Sequence, residues 1–387
     1  MGSSRMRIMC IVGARPNMMK MAPLMAELRL DREIEPVLVH TGQHYDYSMS
    51  QVFFDQLRMP QPDFNLGVGS GKDYEQTAEI MRRFGELVES HRPDMVVVAG
   101  DVNSTVACAL VAARERIPLA HVEAGLRSFD RTMPEELNRI LTDKLADLLF
   151  TTEESAHLHL ANEGIAPEKV FFVGNLMIDS LVAALGQPRE LSLRSELGLH
   201  PRTYAVLTLH RPSNVDEPKQ LAATLAAVAR LAQQIPVVFP AHPRTARNIE
   251  AAGLKTIRTW LGGAIDEPAL WMMPPASYLD FLDLMQHAEM MLTDSGGVQE
   301  ETTFLGVPCL TYRNNTERPV TVSVGTNKVV GSDPDRLLHM AMEVLDQPRP
   351  ARTVPPLWDG QAAPRIVRIL KQACERNLDQ DAERVRL

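Results

Sequence analysis

The chain has 387 residues, which is enough for two ordinary domains with separate hydrophobic cores. Hydrophobic residues make up 45% and charged residues 23%, as is typical of globular proteins, and the formal net charge of -9 argues against nucleic-acid binding through phosphate neutralisation. No apolar run approaches the roughly 20 residues that span a bilayer, so the composition also argues against a membrane protein.

The amino terminus and the cysteines predict a cytoplasmic protein. The opening "MGSSRMRIMCIVGARP" has a short apolar stretch without a cleavage-site pattern, so it is predicted to contain a first β-strand and not a signal peptide. The cysteines, Cys10, Cys108, Cys309 and Cys374, lie far apart and lack the spacing of metal ligands. They are predicted to be reduced thiols of the core.

In the first half of the chain, short apolar runs alternate with amphipathic stretches. The predicted strands are "RIMCIVG", "PVLVH", "DMVVVAG", "IPLAHVEAG" and "DLLFTT". Between them, "NMMKMAPLMAELRL" and "QTAEIMRRFGELVESH" have helical periodicity. This alternation is typical of repeated βαβ units that form a parallel sheet buried on both faces.

A second series of predicted strands follows a pause in the alternation at residues 175–203. It comprises "YAVLTLH", "IPVVFPAH", "LWMMPP", "AEMMLTDSGG" and "VPCLTYR". We therefore expect an α/β protein with two doubly wound, Rossmann-like domains, 1–174 and 175–360, and a helix in 361–387 that packs back on the first domain. Ligands of such sheets bind beyond the carboxyl ends of the strands, so we expect a central cleft between the two domains.

Carboxylates stand at the predicted ends of successive elements. Asp101 follows the strand in "VVVAGDVNST", Glu123 ends "AHVE" beside His121, and Glu135 lies in "TMPEELNR" one helical turn before Arg139. Each acid has a structural alternative. Asp101 could cap a helix, Glu123 could accept hydrogen bonds from backbone amides, and Glu135 could form a solvated ion pair with Arg139. Carboxylates that share a cleft shift one another's pKa, so that one acts as an acid and another as a base. The pattern predicts a catalytic acid cluster at one rim of the sheet.

A second set of residues predicts an anion site. "TDSGGVQEE" places glycines at a helix start, where free N–H groups favour a phosphate, although a glycine turn with a serine cap is the alternative. Cations from both domains would converge at this helix start, as expected for a site that binds a diphosphate. Glu301, about one turn further on, could reach the vicinal hydroxyls of a sugar. The residues are Arg15 and Lys20 in the first domain, and His210, Arg211, Ser295, Gly296, Gly297, Glu301 and Arg318 in the second.

No cofactor and no metal are predicted. The first strand-to-helix turn, "GARPNM", lacks the three-glycine pattern of a dinucleotide site, and "VLVHTGQH" lacks the acid that binds an NAD ribose. The glycine-rich "GVGSGKDY" lacks the serine or threonine that follows the lysine of a P-loop. The eleven histidines are scattered, without a pair on one helix face that could bind a metal.

The motifs together resemble those of the non-hydrolysing UDP-N-acetylglucosamine 2-epimerases over nearly the whole chain. They are "GARPNMMKMAPL", "HTGQH", "GDVNST", "HVEAGLRS", "MPEELNR", "HRPSN", "TDSGGVQEE" and "TERP", in this order. The resemblance implies a GT-B-like fold, a homodimer, and an enzyme that interconverts UDP-GlcNAc and UDP-ManNAc without a nicotinamide. In that reaction UDP is eliminated to leave 2-acetamidoglucal and is added back with the opposite configuration at carbon 2.

The resemblance also implies roles for single residues, in three groups. The catalytic group is Asp101, Glu123, Glu135 and His210. The substrate-binding group is Arg15, Lys20, Arg139, Phe281 beside the uracil, Ser295, Gly296, Gly297, Glu301 at the ribose, and Arg318. Some bacterial members bind a second UDP-GlcNAc as an activator, near positions that match Gln43, His44, Gln76 and His242, but Glu75 stands where an arginine is common there.

Three alternatives to this reaction stay open. The segment "SFDRTMPEE" also resembles members that act on 2,3-diacetamido sugars, so the substituent at carbon 3 is undetermined. In a hydrolysing epimerase, water would capture the intermediate and release free ManNAc with UDP. A glycosyltransferase or a non-catalytic nucleotide-sugar sensor would need a separate acceptor or partner.

Overall fold

Two compact α/β units make up the chain. The computed structural model describes residues 5–43, 57–187, 192–254 and 256–386, with 377–386 described by their backbone alone. The contacts divide the chain into a first unit, Met1–Leu185 with Pro356–Leu387, and a second unit, Gly186–Pro355. Each unit has one seven-stranded sheet flanked by helices, which confirms the predicted class of two doubly wound, Rossmann-like sheets.

All seven strands of the first unit are parallel. They are β1 Met6–Val12, β2 Ile34–His40, β3 Phe64–Asn65, β4 Met95–Ala99, β5 Leu119–Val122, β6 Leu148–Thr151 and β7 Val170–Phe172. Their spatial order is β3-β2-β1-β4-β5-β6-β7. Because the order reverses between β1 and β4, the topological switch point lies between these two strands, at their carboxyl ends.

Both faces of the first sheet are covered by helices. Ile8 and Cys10 of β1 pack into one core cluster, whereas Met9 and Ile11 pack into the other, as the alternation of side chains along a strand requires. The helices are α1 Arg15–Leu28, α2 Asp73–Ser90, α3 Asn103–Arg114, α4 Pro134–Leu145, α5 Glu154–Asn162 and α6 Leu176–Leu185, with a 3₁₀ turn at Pro167–Lys169. The strands of this sheet are apolar along their whole length because helices bury both of its faces.

The second unit repeats this architecture. Its strands are β8 Ala205–Thr208, β9 Val237–Pro240, β10 Arg258–Thr259, β11 Leu270–Met273, β12 Met290–Thr293, β13 Cys309–Thr311 and β14 Asn327–Val329. Its helices are α7 Leu193–Glu196, α8 Pro212–Val215, α9 Pro218–Leu231, α10 Pro243–Ala251, α11 Tyr278–His287, α12 Gly296–Leu305, α13 Val320–Ser323 and α14 Pro334–Asp346. The parallel strands lie in the order β10-β11-β9-β8-β12-β13-β14, so the switch point lies between β8 and β12.

The carboxyl-terminal helix, α15 Ala362–Arg386, packs on α1 and α6 of the first unit. Ile366 is fully buried in the core that these helices share. Asp179 of α6 accepts hydrogen bonds from the amides of Ala362 at 3.1 Å and Ala363 at 2.8 Å. Its carboxylate thereby satisfies N–H groups that the start of α15 leaves without an intrahelical partner.

The differences from the sequence expectations are small. Each of the ten apolar runs contains a strand, but β3, β7, β10 and β14 were not predicted. These four strands have two or three residues and lie at the edges of the sheets, so they are too short to show periodicity. The first unit continues to Leu185, whereas the sequence pattern placed the boundary at 174, because α6 packs on α1.

Candidate functional site

In the first unit, turns at the carboxyl edge of the sheet bring a buried ion pair together. Lys20 of α1 pairs its Nζ with Oε2 of Glu123, which follows β5, and the two side chains are 8% and 5% exposed. Gly100, directly after β4, lies against this pair, since a Cβ there would stand 3.0 Å from Lys20 Nζ. Its φ of +68° also favours glycine. The position next to Asp101 is therefore restricted to glycine by both backbone and space.

Asp101 forms an ion pair with Arg139 of α4. Arg139 Nη2 donates to Asp101 Oδ2 at 2.5 Å, and its Nη1 donates to Glu136 Oε2 at 3.0 Å. Glu136 is 1% exposed and also accepts from the amides of Ser128 and Phe129, each at 2.9 Å. Glu136 thus fixes both the arginine and the loop before α4.

Glu135 and Arg15 are exposed residues in the first turns of α4 and α1. Among the described residues, Arg139 pairs with Asp101 and the buried Glu136, so the solvated pair of Glu135 with Arg139 that the sequence suggested is not formed. The helix turns Glu136 inward and Glu135 outward. Both side chains are therefore accessible from solvent.

A buried charge network lies beneath these residues. His121 of β5 is fully buried, and its Nδ1 lies 2.7 Å from Asp143 Oδ1 while its Nε2 lies 2.8 Å from the carbonyl oxygen of Gly100. The ring thus lies between a buried carboxylate and a backbone carbonyl oxygen. Arg127 Nη2 pairs with the other oxygen of Asp143 at 2.7 Å. Burial alone would raise the pKa of Asp143, but the positive charges of His121 and Arg127 hold that pKa below its usual value.

Two of the residues that the resemblance associates with an activator, Gln43 and Gln76, are in contact within the first unit. Gln76 Nε2 donates to the backbone oxygen of Gln43 at 3.2 Å, and Gln43 Oε1 accepts from the amide of Ser104 at 3.1 Å, which caps the start of α3. His242 is the N-cap of α10 in the second unit. His44 lies outside the described residues. Gln43 and Gln76 therefore already have a structural function.

In the second unit, a buried aspartate orients a histidine at the switch point. Asp294 follows β12 and is fully buried, and His210, after β8, places its Nδ1 2.7 Å from Asp294 Oδ1. The carboxylate also accepts from the amide of Arg211 at 2.9 Å and from Asn214 Nδ2 at 3.0 Å. Burial would raise the pKa of Asp294, but these hydrogen bonds and the nearby His210 hold it below its usual value. The His210 ring is 49% exposed, so its Nε2 is the nitrogen left for a ligand.

The glycine-rich start of α12 lies next to an arginine–carboxylate network. Ser295 is the N-cap, and a Cβ on Gly296 would stand 2.7 Å from Arg318 Nη1, so the guanidinium lies directly against the helix start. Arg318 Nη1 donates to Glu317 Oε1 at 2.6 Å and its Nε lies 2.8 Å from Glu300 Oε1. Burial would raise the pKa of Glu317, but adjacent arginines hold it far below its usual value. Arg318 is therefore fixed in place before any ligand binds.

The predicted ribose and uracil residues lie on neighbouring helices. Glu301 of α12 is 4% exposed and accepts a hydrogen bond from Tyr278 Oη of α11 at 2.9 Å. Phe281 is half-buried, one helical turn after Tyr278. The second unit thus places these two residues on adjoining elements.

Sequence reasoning missed several buried charges that hold the site together. They are Glu136, Asp143, Asp294, Arg313 and Glu317. Asp294 follows a strand just as Asp101 does, so the rule of polar residues at strand ends could have identified it. Asp143 lies at no strand end and pairs with His121 and Arg127, which are remote along the chain, so no local pattern indicates it. Glu317 pairs with the nearby Arg313 and Arg318, so the charges of this short segment could have indicated it.

No metal site and no membrane span were found in the described part of the chain. The described residues contain no group of three or more His, Cys, Asp or Glu side chains that could hold a metal ion. None of their helices is both long and apolar enough to cross a bilayer. All four cysteines are buried free thiols.

Comparisons with known proteins identify related sequences. The family model of UDP-N-acetylglucosamine 2-epimerase matches residues 26–371. A UDP-N-acetylglucosamine 2-epimerase homolog of Methanococcus maripaludis is 43% identical over 337 residues, which cover 86% of this chain and 91% of that protein. A UDP-2,3-diacetamido-2,3-dideoxy-D-glucuronate 2-epimerase of Pseudomonas aeruginosa is 38% identical over 344 residues, covering 88% and 92%.

A solved structure has the same fold. The UDP-GlcNAc 2-epimerase of Methanocaldococcus jannaschii, in complex with UDP-GlcNAc and UDP, matches with a TM-score of 0.84 and 38% identity, over 95% of this chain and all of that one. This likeness confirms the GT-B-like fold class. The family model spans most of both units, and the relatives match nearly end to end. The chain therefore belongs to the UDP-N-acetylglucosamine 2-epimerase family.

Proposed function

We propose that the protein interconverts UDP-GlcNAc and UDP-ManNAc by eliminating UDP and adding it back through 2-acetamidoglucal. The observation that carries the proposal is a charged site at each switch point. The first unit has carboxylates with Lys20 and Arg139, and the second has His210 with Asp294 beside the start of α12. The bound UDP-GlcNAc and UDP of the Methanocaldococcus jannaschii enzyme support a UDP-sugar as the ligand. We propose that both sites act on one substrate.

The reaction requires proton transfer at carbon 2 and departure of UDP from carbon 1. In elimination, the bond from carbon 1 to the diphosphate oxygen breaks, UDP leaves with the electron pair, and carbon 2 loses its proton to a carboxylate. A double bond between carbons 1 and 2 forms. Re-addition returns a proton to the opposite face of carbon 2, and the diphosphate oxygen attacks carbon 1. Asp101, Glu123 and Glu135 are the proposed carboxylates for these transfers.

The charges suit a reaction in which UDP leaves first. The hydrogen on carbon 2 is not activated, so the sugar becomes oxocarbenium-like as the bond to UDP breaks, and carboxylates stabilise that positive charge. The departing diphosphate is stabilised by cations and by the N–H groups at a helix start. Arg318 and the Ser295 turn would supply both in the second unit. Arg15 is proposed to bind the same diphosphate.

His210 is proposed to polarise or protonate the departing diphosphate. Asp294 engages Nδ1 of the ring, so Nε2 would face the substrate. Glu301 would bind the ribose and Phe281 would contact the uracil. These roles depend on the ring orientation that Asp294 imposes, and they can be tested separately from the carboxylates.

Isotope exchange tests this proposal. UDP-GlcNAc incubated with the protein in heavy water should give a mixture with UDP-ManNAc, and both sugars should carry deuterium at carbon 2. NMR of the recovered nucleotide sugars measures this incorporation. Epimerisation without deuterium uptake would contradict the elimination mechanism, and no turnover would contradict the substrate.

A second substrate is supported by the Pseudomonas aeruginosa relative. That protein is named for a UDP-2,3-diacetamido-2,3-dideoxy-D-glucuronate, and it is 38% identical to this chain. The same assay with the diacetamido sugar, compared by kcat/KM, identifies the better substrate. Stoichiometric free ManNAc with UDP would instead indicate a hydrolysing epimerase. Turnover without an acceptor excludes a glycosyltransferase and a non-catalytic sensor.

The homodimer and the activator are separate proposals. A homodimer would sediment at twice the mass of 43.1 kDa. Activation by a second UDP-GlcNAc at Gln43, His44, Gln76 and His242 would make the rate sigmoidal in substrate concentration. A hyperbolic rate would contradict it, and the exposed Glu75 favours that result because it adds negative charge where an arginine would attract a diphosphate.

A further inference from the structure

A cavity of about 440 Å³ lies in the second unit, on the edge of the sheet opposite to the candidate site. Arg202 in its wall precedes β8, His287 closes α11 before β12, and Gly306 closes α12 before β13. Residues that precede parallel strands lie at the amino edge of the sheet, whereas His210 and Ser295 lie at the carboxyl edge. The cavity is therefore a different place from the proposed nucleotide site of the same unit.

Three arginines line this cavity, and contacts hold two of them, Arg349 and Arg352, in place. Arg349 Nε donates to the carbonyl oxygen of Gly306 at 2.9 Å. The Arg352 guanidinium stacks over the Phe304 ring at 4.6 Å. Arg202 has a φ of +63°, a left-handed conformation that non-glycine residues seldom adopt. Ordered guanidinium groups lose less conformational entropy on binding than freely rotating ones.

Within the described residues, these arginines have no carboxylate as a salt-bridge partner. In the part of the chain that the structure describes, none of the three forms an ion pair, and the guanidinium groups of Arg202 and Arg352 donate no hydrogen bond. The pKa of Arg349 is lowered, first by burial and then by the positive charge of Arg202, while Glu289 acts in the opposite direction. Arg202 and Arg349 thus contribute like charges to the wall of the same cavity.

The structural alternative is that the arginines compensate for the carboxyl-terminal ends of α11 and α12. Each helix end carries about half a negative charge. The two helix ends together offset about one of the three positive charges, and the carboxylate of Glu289 offsets about one more. About one positive charge is left in excess. Only one guanidinium nitrogen, Arg349 Nε, bonds a helix-end carbonyl. Compensation of the helix ends therefore explains part of the cluster but not all of it.

We propose that this cavity binds a compact polyanion that contains a diphosphate group. The volume falls in the range of small-molecule sites, about 300–1,000 Å³. The planar forks of Arg202, Arg349 and Arg352 match phosphate oxygens, to which each can donate two parallel hydrogen bonds. Since the cavity lies at the opposite edge of the sheet from the proposed nucleotide site of the same unit, its occupant would be an effector and not a substrate.

Calorimetric titration with inorganic pyrophosphate tests this site. The titration contains no nucleotide, because UDP is itself a diphosphate and would compete for the cavity. The cavity should bind pyrophosphate, more weakly as salt rises. The double variant Arg202→Gln with Arg349→Gln should lose affinity by about tenfold or more, because each charge-assisted hydrogen bond is worth at least that factor. Absence of binding, or equal affinity in the double variant, overturns the proposal.

A matched control and a second ligand complete the experiment. Arg230→Gln removes one exposed arginine of α9, whose partner is Asp335, and should leave pyrophosphate affinity unchanged. UDP binding by the double variant shows that the variant is folded and that its nucleotide site is intact. ADP in place of pyrophosphate distinguishes the source, since tighter ADP binding indicates a nucleotide and equal or weaker binding indicates inorganic diphosphate. A failure of pyrophosphate binding alone leaves the proposed epimerase reaction untouched.

Discussion

The two switch points of this protein have the same topology and different chemistry. In the first unit, the turns after β1, β4 and β5 bring Lys20 to Glu123, and Asp101 to Arg139, so carboxylates are directly paired with cations. In the second unit, the turns after β8 and β12 bring a buried Asp294 to a half-exposed His210. The fold thus decides where the polar residues gather, and the residues that follow each strand decide what chemistry they can perform.

The two sites also differ in how their functional groups are held. Arg139 is fixed by Glu136, three residues earlier on the same helix, whereas His210 is fixed by a residue from another strand end. The start of α12 is supported by an arginine–carboxylate network, whereas α1 begins with the exposed Arg15. The comparison suggests that the first unit carries the proton transfers and the second unit carries the anion.

The largest expected effect comes from removing a carboxylate of the first unit. Glu123→Gln and Asp101→Asn should each lower kcat by about 10²–10⁴, the usual contribution of general acid–base catalysis. Steady-state conversion of UDP-GlcNAc measures the loss, and deuterium exchange at carbon 2 should fall with it. Glu89→Gln, an exposed change on α2, is the control that should keep full activity. Near-normal exchange in Glu123→Gln would show that the buried pair is only structural.

The corresponding change in the second unit should have a somewhat smaller effect. Asp294→Asn replaces the acceptor that holds His210 Nδ1, and kcat should fall by about 10², the lower end of the range for acid–base groups. The ¹⁵N shifts of the His210 ring should report a mixture of tautomers in the variant. If Asp294 only supported the fold, these shifts would not change. Asp335→Asn, on the exposed surface of the same unit, should leave both readouts unchanged. Unaltered ring shifts would refute the orienting role.

Substitutions of two neighbouring glutamates of α4 should have different effects, one mainly on stability and the other mainly on activity. Glu136→Gln should lower the free energy of unfolding by about 1.5–3 kcal/mol, since the buried carboxylate accepts charge-assisted and backbone hydrogen bonds. Glu135→Gln is exposed and should change stability by less than about 0.5 kcal/mol while it lowers kcat. Urea unfolding and kinetics on both variants measure the contrast. Equal losses of stability in the two variants would contradict the buried position of Glu136 and the exposed position of Glu135.

Acid should destabilise the second unit more than the first. Among the buried carboxylates with shifted pKa values, Asp294 and Glu317 of the second unit are lowered, whereas in the first unit Asp143 is lowered and Asp179 is raised. A lowered pKa contributes stability above the unfolded value of about 4, and this contribution is lost as the pH falls through the folded value. The raised pKa of Asp179 acts oppositely, because its contribution is lost as the pH rises through its folded value.

Hydrogen exchange between pH 7 and pH 3 measures this difference for each unit. The core strands β8 and β12 should lose protection at a higher pH than β1 and β4. The variant Glu317→Gln should show a flatter dependence on pH, since one titrating group is gone. Simultaneous loss of protection in both sheets would contradict the assignment of the acid-sensitive groups.

The smallest expected effect concerns the docking of α15. Asp179→Ala removes the carboxylate that accepts from the first amides of the helix, and it should cost about 1 kcal/mol, as the loss of a helix cap does. Asp179→Asn keeps an acceptor and should cost less. Amide exchange in Ala363–Leu370 reports the change, with activity as the control. A stability loss as large as that of Glu136→Gln would show that the carboxylate does more than cap.

The sequence by itself determined the class of each sheet, the ten main strands, the family, and the turns at which polar residues cluster. Apolar runs and helical periodicity depend on neighbours along the chain, so these features can be recognised locally. Asp101 and Glu123 were identified because they stand at the ends of predicted strands, and Ser295 because glycines follow it at a predicted helix start. The edge strands escaped detection because two or three residues carry too little pattern.

Only the tertiary structure decided which charge meets which. Lys20 lies in α1, after β1, and Glu123 follows β5, and they meet because the strand order places β1, β4 and β5 side by side. Likewise, the turn of α4 directs Glu136 and not Glu135 to Arg139. An ion pair depends on distances of a few ångströms between residues remote in the chain, and no local pattern contains those distances. The sequence therefore determines which residues are available for the site, and packing determines which of them pair with one another.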